Sequence, residues 1–399
     1  MQEENFPYID RLDETVLDEA ILRFGTPTYV FDVEQAKKRV RAFRGIIGQA
    51  ADLCYAMKAN PFLVRAMAEE VNRIEVCSMG EFRICKQKEI PAEKLLISGV
   101  MKDRDDLWEI LETYGNRCHY TIESLNQYAI LNEWARSSGK KVPVYLRLTS
   151  GNQFGMDEET LTNIVELEQD KDLLEICGIH YFSGTQKKRK KTLEELTYLD
   201  EVFARLKEKT GYQVTELEYG PGLAVPYFAR QADERFETLE AIADALAKMQ
   251  WQGKVTLEMG RAFVADCGYY ITTVKDTKRS GDQNYCIIDG GMHQVNYDGQ
   301  IRGMYQPKLT IRPQGARGIY QNWTICGELC TGNDILVQNI KIDDLRVGST
   351  IIFENTGAYA VTEGMALFLS HVLPAVVLYD PVGGFTQVRA RRETYVWNS

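Results

Sequence analysis

Tyr55-Ala56-Met57-Lys58-Ala59-Asn60 ends a short apolar run that starts at Leu53, and Pro61 follows at once. The run has the length of a strand, and Asn-Pro breaks it. We read the segment as the C-terminal mouth of a buried strand with a lysine at its rim. Burying an ammonium is costly, so a lysine there needs a partner or a task. A desolvated lysine gives up its proton more readily and becomes an amine nucleophile toward aldehydes. The plainer reading is a solvated lysine at a strand end, and position alone favours it, because most lysines are exposed.

Similar runs recur on both sides of Lys58. Thr28 to Phe31, Lys94 to Ile97, Val142 to Leu148, Glu175 to Tyr181, Glu216 to Tyr219 and Lys254 to Glu258 all have strand length. Most are followed by a helical pattern, as in Glu34 to Phe43. In Thr192 to Lys207 the residues Leu193, Leu196, Leu199, Phe203 and Leu206 recur at helical spacing. Alternation of strand and helix predicts a parallel α/β architecture. About eight such units over roughly 250 residues fit a (β/α)8 TIM barrel. A doubly wound sheet is the competing arrangement.

The texture changes after Gly268. Tyr269 to Lys275, Tyr285 to Asp289, Trp323 to Cys326 and Thr350 to Phe353 read as strands with turns between them and few helices. The expected organisation is therefore a barrel over 28–275 and a β-rich domain from 1–27 with 276–399. The segment before Thr28 packs with the β-rich part or caps the barrel. No internal repeat or low-complexity linker interrupts the chain.

Composition narrows the classes. The chain has 399 residues, 44% hydrophobic and 26% charged, with a net charge of −10. That balance suits a globular protein with ample core and argues against nucleic acid or an anionic membrane as partner. No apolar stretch approaches the roughly 20 residues that span a bilayer. The acidic start, Met1-Gln2-Glu3-Glu4-Asn5, does not read as a signal peptide. Nine cysteines without a C-x-x-C pair read as reduced thiols in the cytoplasm. Four histidines, at 119, 180, 293 and 371, are not spaced as a local metal pair, so no metal site is expected.

Several segments carry candidate chemistry, each with a plain alternative. Gly220-Pro221-Gly222-Leu223-Ala224 follows a predicted strand, where backbone N–H groups can approach a phosphate; a tight turn with no ligand reads equally well. Glu258-Met259-Gly260-Arg261 ends the next strand, with a carboxylate for a pyridinium nitrogen and a guanidinium for a phosphate or carboxylate, or else a local ion pair. In Gly178 to Gln186, Phe182 can lie against an aromatic ring and Thr185 can reach phosphate, whereas His180 and Phe182 also suit a core. Cys330, among the turn residues of Gly327 to Asp334, is either a reactive thiol or an ordinary one. Tyr359, in Gly357-Ala358-Tyr359, presents a phenol to phosphate or simply packs.

Taken together and in this order, the segments resemble the fold-type III pyridoxal-phosphate decarboxylases, which include diaminopimelate, ornithine and arginine decarboxylases. The resemblance runs from about residue 27 to 380. It implies pyridoxal 5'-phosphate as cofactor, with Lys58 as the Schiff-base lysine and Glu258 as partner of the pyridine nitrogen. It implies Phe182, Thr185, Gly220, Gly222, Gly260, Arg261 and Tyr359 as the cofactor shell. Arg261, Cys330 and Asp289 are implied near the substrate. Cys330 looks like the thiol that a second subunit lends to protonate the product carbon. The implied assembly is a homodimer with shared active sites. The implied reaction releases CO2 from an amino acid held as an external aldimine.

Some positions depart from the family pattern. Phe182 stands where a histidine usually stacks on the ring. Thr331 and Gly332 stand where diaminopimelate decarboxylases have an acidic residue and a serine. Pro221 and Ala224 replace glycines of the phosphate loop. Gly290 to Gln294 and Phe368 to Pro374 resemble the branch containing the glutamyl-carrier-protein decarboxylase of butirosin biosynthesis. The substrate is then an amino acid either free or tethered to an acyl carrier protein. An amino-acid racemase on the same cofactor is the other enzyme reading, and a cofactor-binding protein without catalysis is the third. Glu258 favours decarboxylation, because racemases of this fold usually set an arginine at the ring nitrogen.

Overall fold

Strand β1 (Thr28–Asp32) is buried along its whole length, yet its hydrogen bonds run to a sheet and not to the barrel. It pairs antiparallel with Gly268–Ser280 and parallel with Ala375–Asp380. The barrel is built from the next eight strands of the computed structural model, which describes residues 11–313 and 318–399. They are β2 (Asp52–Ala56), β3 (Arg73–Val76), β4 (Leu95–Ile97), β5 (His119–Ile122), β6 (Val142–Arg147), β7 (Leu174–Phe182), β8 (Glu216–Gly220) and β9 (Lys254–Met259). All neighbours are parallel, and β2 pairs with β9 to close the ring. The doubly wound alternative is excluded by that closure.

Two of these strands, β3 and β5, are missing from the apolar runs in the sequence, and Thr28 to Phe31 is a run that the barrel does not use. The reason is physical. β3 reads Arg73-Ile74-Glu75-Val76 and is buried at every position. Its charged residues alternate with apolar ones and point to the opposite face of the strand. β5 is four residues long and begins at a histidine. A short strand with polar residues facing inward has no continuous apolar signature.

Four of the helices that follow barrel strands start at a chemically marked residue. Ser78, Asp103, Ser124 and Asp157 cap their helices by accepting from Glu81, Asp106, Gln127 and Thr160 backbone N–H groups. These side chains satisfy donors that the first helical turn leaves bare. The helix Arg189–Thr210 buries Leu196, Leu199, Phe203 and Leu206, as the helical spacing predicts. It ends on Gly211 in the left-handed conformation.

The chain divides into two compact units, Val40–Ala224 with Glu234–Ala262, and Met1–Arg39 with Val225–Asp233 and Phe263–Ser399. The first unit is the barrel. Against the expected boundaries, β1 and the residues from Phe263 to Lys275 belong to the second unit, because their strand partners lie there.

The second unit is a nine-stranded sheet. It adds β10 (Gly268–Ser280), β11 (Gln283–Ile288), β12 (Leu309–Arg312), β13 (Tyr320–Cys326), β14 (Ile335–Asp343), β15 (Thr350–Glu354), β16 (Ala375–Asp380) and β17 (Gly384–Arg389). The helix Glu14–Phe24 packs on this sheet. Leu12, Leu17 and Ala20 join Val30, Tyr269, Ile271 and Ile352 in one core cluster. Met1 to Asp10 of the expected N-terminal segment lie outside the described residues. No described helix is long and apolar enough to cross a membrane.

Candidate active site

Lys58 follows β2 directly, in a single helical turn over Met57–Ala59. Asn60 ends that turn and its side chain accepts from Phe62 N–H at 3.1 Å, starting the next turn at Pro61. Tyr55 O–H donates to the Asn60 carbonyl at 2.9 Å and locks the corner. The Asn-Pro break therefore sets the lysine at the C-terminal rim of the barrel strand.

Lys58 has the kind of partner that its rim position calls for. Its side chain is 34% exposed and its Nζ donates to Glu75 Oε2 at 2.6 Å. Glu258 Oε1 lies 3.9 Å away and Cys77 Sγ 3.5 Å away. The amine is one arm of an ion-pair cluster. Glu75 and Cys77 carry no motif in the sequence. The one signal that could have found them is the polar alternation Arg73-x-Glu75-x-Cys77, which turns three polar groups to the barrel interior. Cys77 Sγ–H donates to Glu75 Oε1 at 3.0 Å. Burial, with Glu75 beside it, pushes the Cys77 thiol well up, so it remains a thiol.

Glu258 is the penultimate residue of β9, with its side chain almost fully buried. Its Oε2 lies 3.0 Å from Nε2 of the buried His180. Burial, assisted by Arg147, pushes His180 down to about 3. The imidazole is then neutral at physiological pH and donates through Nε2–H, leaving Nδ1 without a hydrogen bond. His180 thus belongs to the site as the partner that orients Glu258. Below them, Arg73 donates to Glu218 at 2.6 Å and to the Tyr145 hydroxyl at 2.8 Å. Burial, against the pull of Arg73, raises Glu218 to about 7. On the far side, Arg147 donates to Glu123 at 3.0 Å. Burial lowers Lys102, bonded to Gly99 O and Thr121 Oγ1, to about 8.

The glycine turn is a real cradle. A Cβ on Gly220 would meet the Phe182 ring at 2.4 Å. Gly222 has φ +59° and a Cβ there would meet the Gly184 carbonyl at 2.1 Å. Only glycine lets these backbones approach so closely. Lys187 closes the other side. Its backbone N–H donates to Gly222 O at 2.9 Å, and its Nζ reaches Ser183 Oγ, Gly220 O and Glu195. Pro221 also serves this turn, since its carbonyl accepts from Thr192 at 3.3 Å. Phe182 lies with its ring centroid 6.0 Å from Lys58 Nζ. Thr185 is exposed in the loop after β7. Gly260 and Arg261 follow β9, and Arg261 opens a short helix. The barrel therefore brings Lys58, Phe182, Gly220, Gly222 and Glu258 to the C-terminal ends of β2, β7, β8 and β9. An amine, an aromatic face, a buried carboxylate and a glycine cradle are the donor set that pyridoxal phosphate requires.

Three expected residues lie in the sheet unit. Cys330 is exposed in a turn closed by Gly327 N–H donating to Asp334 O at 3.0 Å. Tyr359 holds φ +63°, a strained value for a tyrosine. Asp289 is fully engaged within its own unit. Oδ1 accepts from Thr272 and from Thr273 N–H, and Oδ2 from Thr26, with Lys275 3.1 Å away.

Comparisons with known proteins place the chain in a family. The family model described as "Pyridoxal-dependent decarboxylase, pyridoxal binding domain" matches residues 33–265. The L-glutamyl-[BtrI acyl-carrier protein] decarboxylase of Niallia circulans is 26% identical, and the alignment covers 92% of each chain. The diaminopimelate decarboxylase of Aquifex aeolicus is 27% identical over 88% of each. Among solved structures, diaminopimelate decarboxylase from M. jannaschii in complex with L-lysine superposes with a TM-score of 0.84 at 23% identity. That match covers 94% of this chain and 92% of the other, and it bears on the fold alone.

Proposed function

This chain belongs to the pyridoxal-dependent decarboxylase family, of fold type III, and we propose that Lys58 carries the cofactor while Glu258 faces its ring nitrogen. The protein is an amino-acid decarboxylase that depends on pyridoxal phosphate. Bound there, the cofactor supplies an electron sink for the bonding pair that the departing carboxyl group leaves behind.

The residues divide the remaining work. Lys58 is the amine that would hold the cofactor aldehyde. Glu75 accepts from Lys58 and keeps that amine at the barrel rim. Glu258 supplies negative charge at the ring nitrogen. A neutral His180 fixes its orientation by one hydrogen bond without cancelling that charge. The Gly220–Gly222 turn, with Arg261, Tyr359 and Thr185, receives the phosphate. Phe182 gives an apolar face to the ring and adds no proton to it. Gly260, between Glu258 and Arg261, belongs to the same cofactor shell.

Cys330, in our reading, is lent by a second subunit and delivers the proton to the substrate carbon, which makes the enzyme a homodimer. Its exposure within the sheet unit supports that role. Asp289 serves as a pin of the sheet, since both its oxygens are taken there. The enzyme works in the cytoplasm, where its nine cysteines stay reduced.

The observation that carries the proposal is the Lys58 amine, 3.9 Å from the Glu258 carboxylate, at the same barrel rim as the glycine cradle. Borohydride reduction of the purified protein should fix the cofactor on the peptide containing residue 58. Label on another peptide, or on none, refutes it. CO2 release with diaminopimelate, ornithine, lysine, arginine and glutamate identifies the substrate. A carrier-tethered amino acid is the second reading. It is favoured by Thr331 and Gly332, which remove the acidic side chain that would hold a distal amine, and by the likeness to the N. circulans enzyme. Activity on glutamyl carrier protein but not on free glutamate decides for it. Loss of optical activity without CO2 would instead mark a racemase.

A further inference from the structure

Three residues far apart in sequence meet inside the sheet unit. His293 lies in the turn after β11, Glu328 in the turn after β13, and His371 just before β16. His293 Nε2 and His371 Nδ1 each stand 3.3 Å from the same oxygen, Glu328 Oε1. One ligand atom from each of the three residues falls within 4.8 Å of the others. The two imidazole rings are tilted at 47°, with centroids 5.3 Å apart.

The sheet holds this group in place. Asp334 accepts from Met292 N–H at 2.7 Å and from Leu329 N–H at 2.9 Å, tying together the two turns that carry His293 and Glu328. Glu328 N–H donates to Gly290 O at 2.8 Å. A Cβ on Gly291 or Gly327 would strike the Asp334 carboxylate at 2.4 or 2.2 Å, so both turns depend on glycine. The His371 carbonyl is anchored by the Thr394 hydroxyl at 2.7 Å.

An independent observation points to a ligand. The His293 side chain is 1% exposed, and neither of its ring nitrogens makes a hydrogen bond. The approach of Nε2 to Glu328 is close but not aligned for one. A buried polar atom without a partner is destabilising, and buried polar groups are nearly always satisfied. A cation on Nε2 removes that penalty at this nitrogen. Ligand atoms at about 2.0–2.1 Å from a tetrahedral zinc ion stand roughly 3.3–3.4 Å apart, which is the distance of each histidine nitrogen from Glu328 Oε1. Glu328 and His371 are 29% and 28% exposed, which leaves an entry path and a coordination position for water. Two imidazoles and one carboxylate with an open fourth position are a ligand set that zinc takes readily.

We propose that His293, Glu328 and His371 form a zinc-binding site in the β-sheet unit. The test uses the tag-free holoenzyme, loaded with zinc, desalted and analysed for metal by mass spectrometry, then loaded with cobalt(II) and read by visible absorption. The expected results are one zinc per chain and the d–d bands of four- or five-coordinate cobalt with nitrogen and oxygen ligands. Glu328→Gln and His371→Asn should each lower zinc affinity at least about tenfold. Their thermal melting without zinc should match that of the parent, which separates ligand loss from misfolding. His293→Gln, the buried position, serves as a third variant. The proposal is overturned if no stoichiometric zinc is retained, or if a thiolate-to-cobalt charge-transfer band puts the ion on a cysteine. Unchanged retention in the Glu328→Gln and His371→Asn variants also overturns it.

Discussion

The barrel and the sheet unit bury carboxylates by different means. In the barrel, Glu75, Glu218 and Glu258 face cationic or imidazole partners, Lys58, Arg73 and His180. In the sheet unit, Asp334 accepts from two backbone N–H groups, and Asp289 from one N–H and two threonine hydroxyls with the half-exposed Lys275 beside it. The first arrangement includes two groups with displaced titration, Glu218 raised to about 7 and His180 lowered to about 3. The second spends the carboxylate on holding a turn. A buried acid paired with other ionisable groups is thus the better pointer to chemistry, and one clasped by backbone is the better pointer to architecture.

The hardest blow to this contrast is at Lys58. Lys58→Ala should lower CO2 release by on the order of 10³-fold or more and abolish the borohydride label at that peptide. Retained activity would mean that the ion-paired cluster is structural, like Asp334. Next comes Arg73. Arg73→Met strands Glu218 without its cation and should destabilise the chain by about 3 kcal/mol at neutral pH, read by denaturant unfolding.

The same pair has a pH signature. Glu218 is raised to about 7 from an ordinary 4.5, so its folded form binds the proton more tightly. Its stabilising contribution is full below 4.5 and is lost as pH rises through 7. His180 runs the other way. Its folded value of about 3 against 6.5 gives stability that is present above 6.5 and lost as pH falls through 3. Glu218→Gln should therefore remove a loss of stability between 4.5 and 7 and leave the acid limb in place. If the stability profile of Glu218→Gln overlays the parent, Glu218 is not titrating in this range.

Gly222→Ala forces a side chain into a left-handed position against Gly184 O, and about 2 kcal/mol of cofactor affinity or stability should go with it. Absorbance titration with pyridoxal phosphate measures the affinity. The smallest effect is expected in the sheet unit. Asp334→Ala leaves Met292 and Leu329 N–H groups bare and should lower stability by about 1.5 kcal/mol, with the cofactor spectrum unchanged. A changed spectrum would break the division between charge for chemistry and charge for architecture.

Periodicity and local punctuation by themselves determined the strand–helix alternation, the change to β-rich texture after Gly268, and the rim position of Lys58. These are short-range consequences of backbone geometry. The glycines at 220 and 222 were legible as a turn for the same reason, and the family resemblance in their order gave them a purpose. The sequence did not reveal that β1 leaves the barrel for the sheet, because a buried strand reads alike wherever its edges pair. Nor did it show Glu75 and Cys77 beside Lys58, His180 beneath Glu258, or three residues at 293, 328 and 371 gathered around one oxygen. Those neighbours are brought together by strand order and by turns packed against one another. Side-chain chemistry at a distance is decided by tertiary contacts, whereas a strand, a cap or a glycine turn is decided within a few residues of itself.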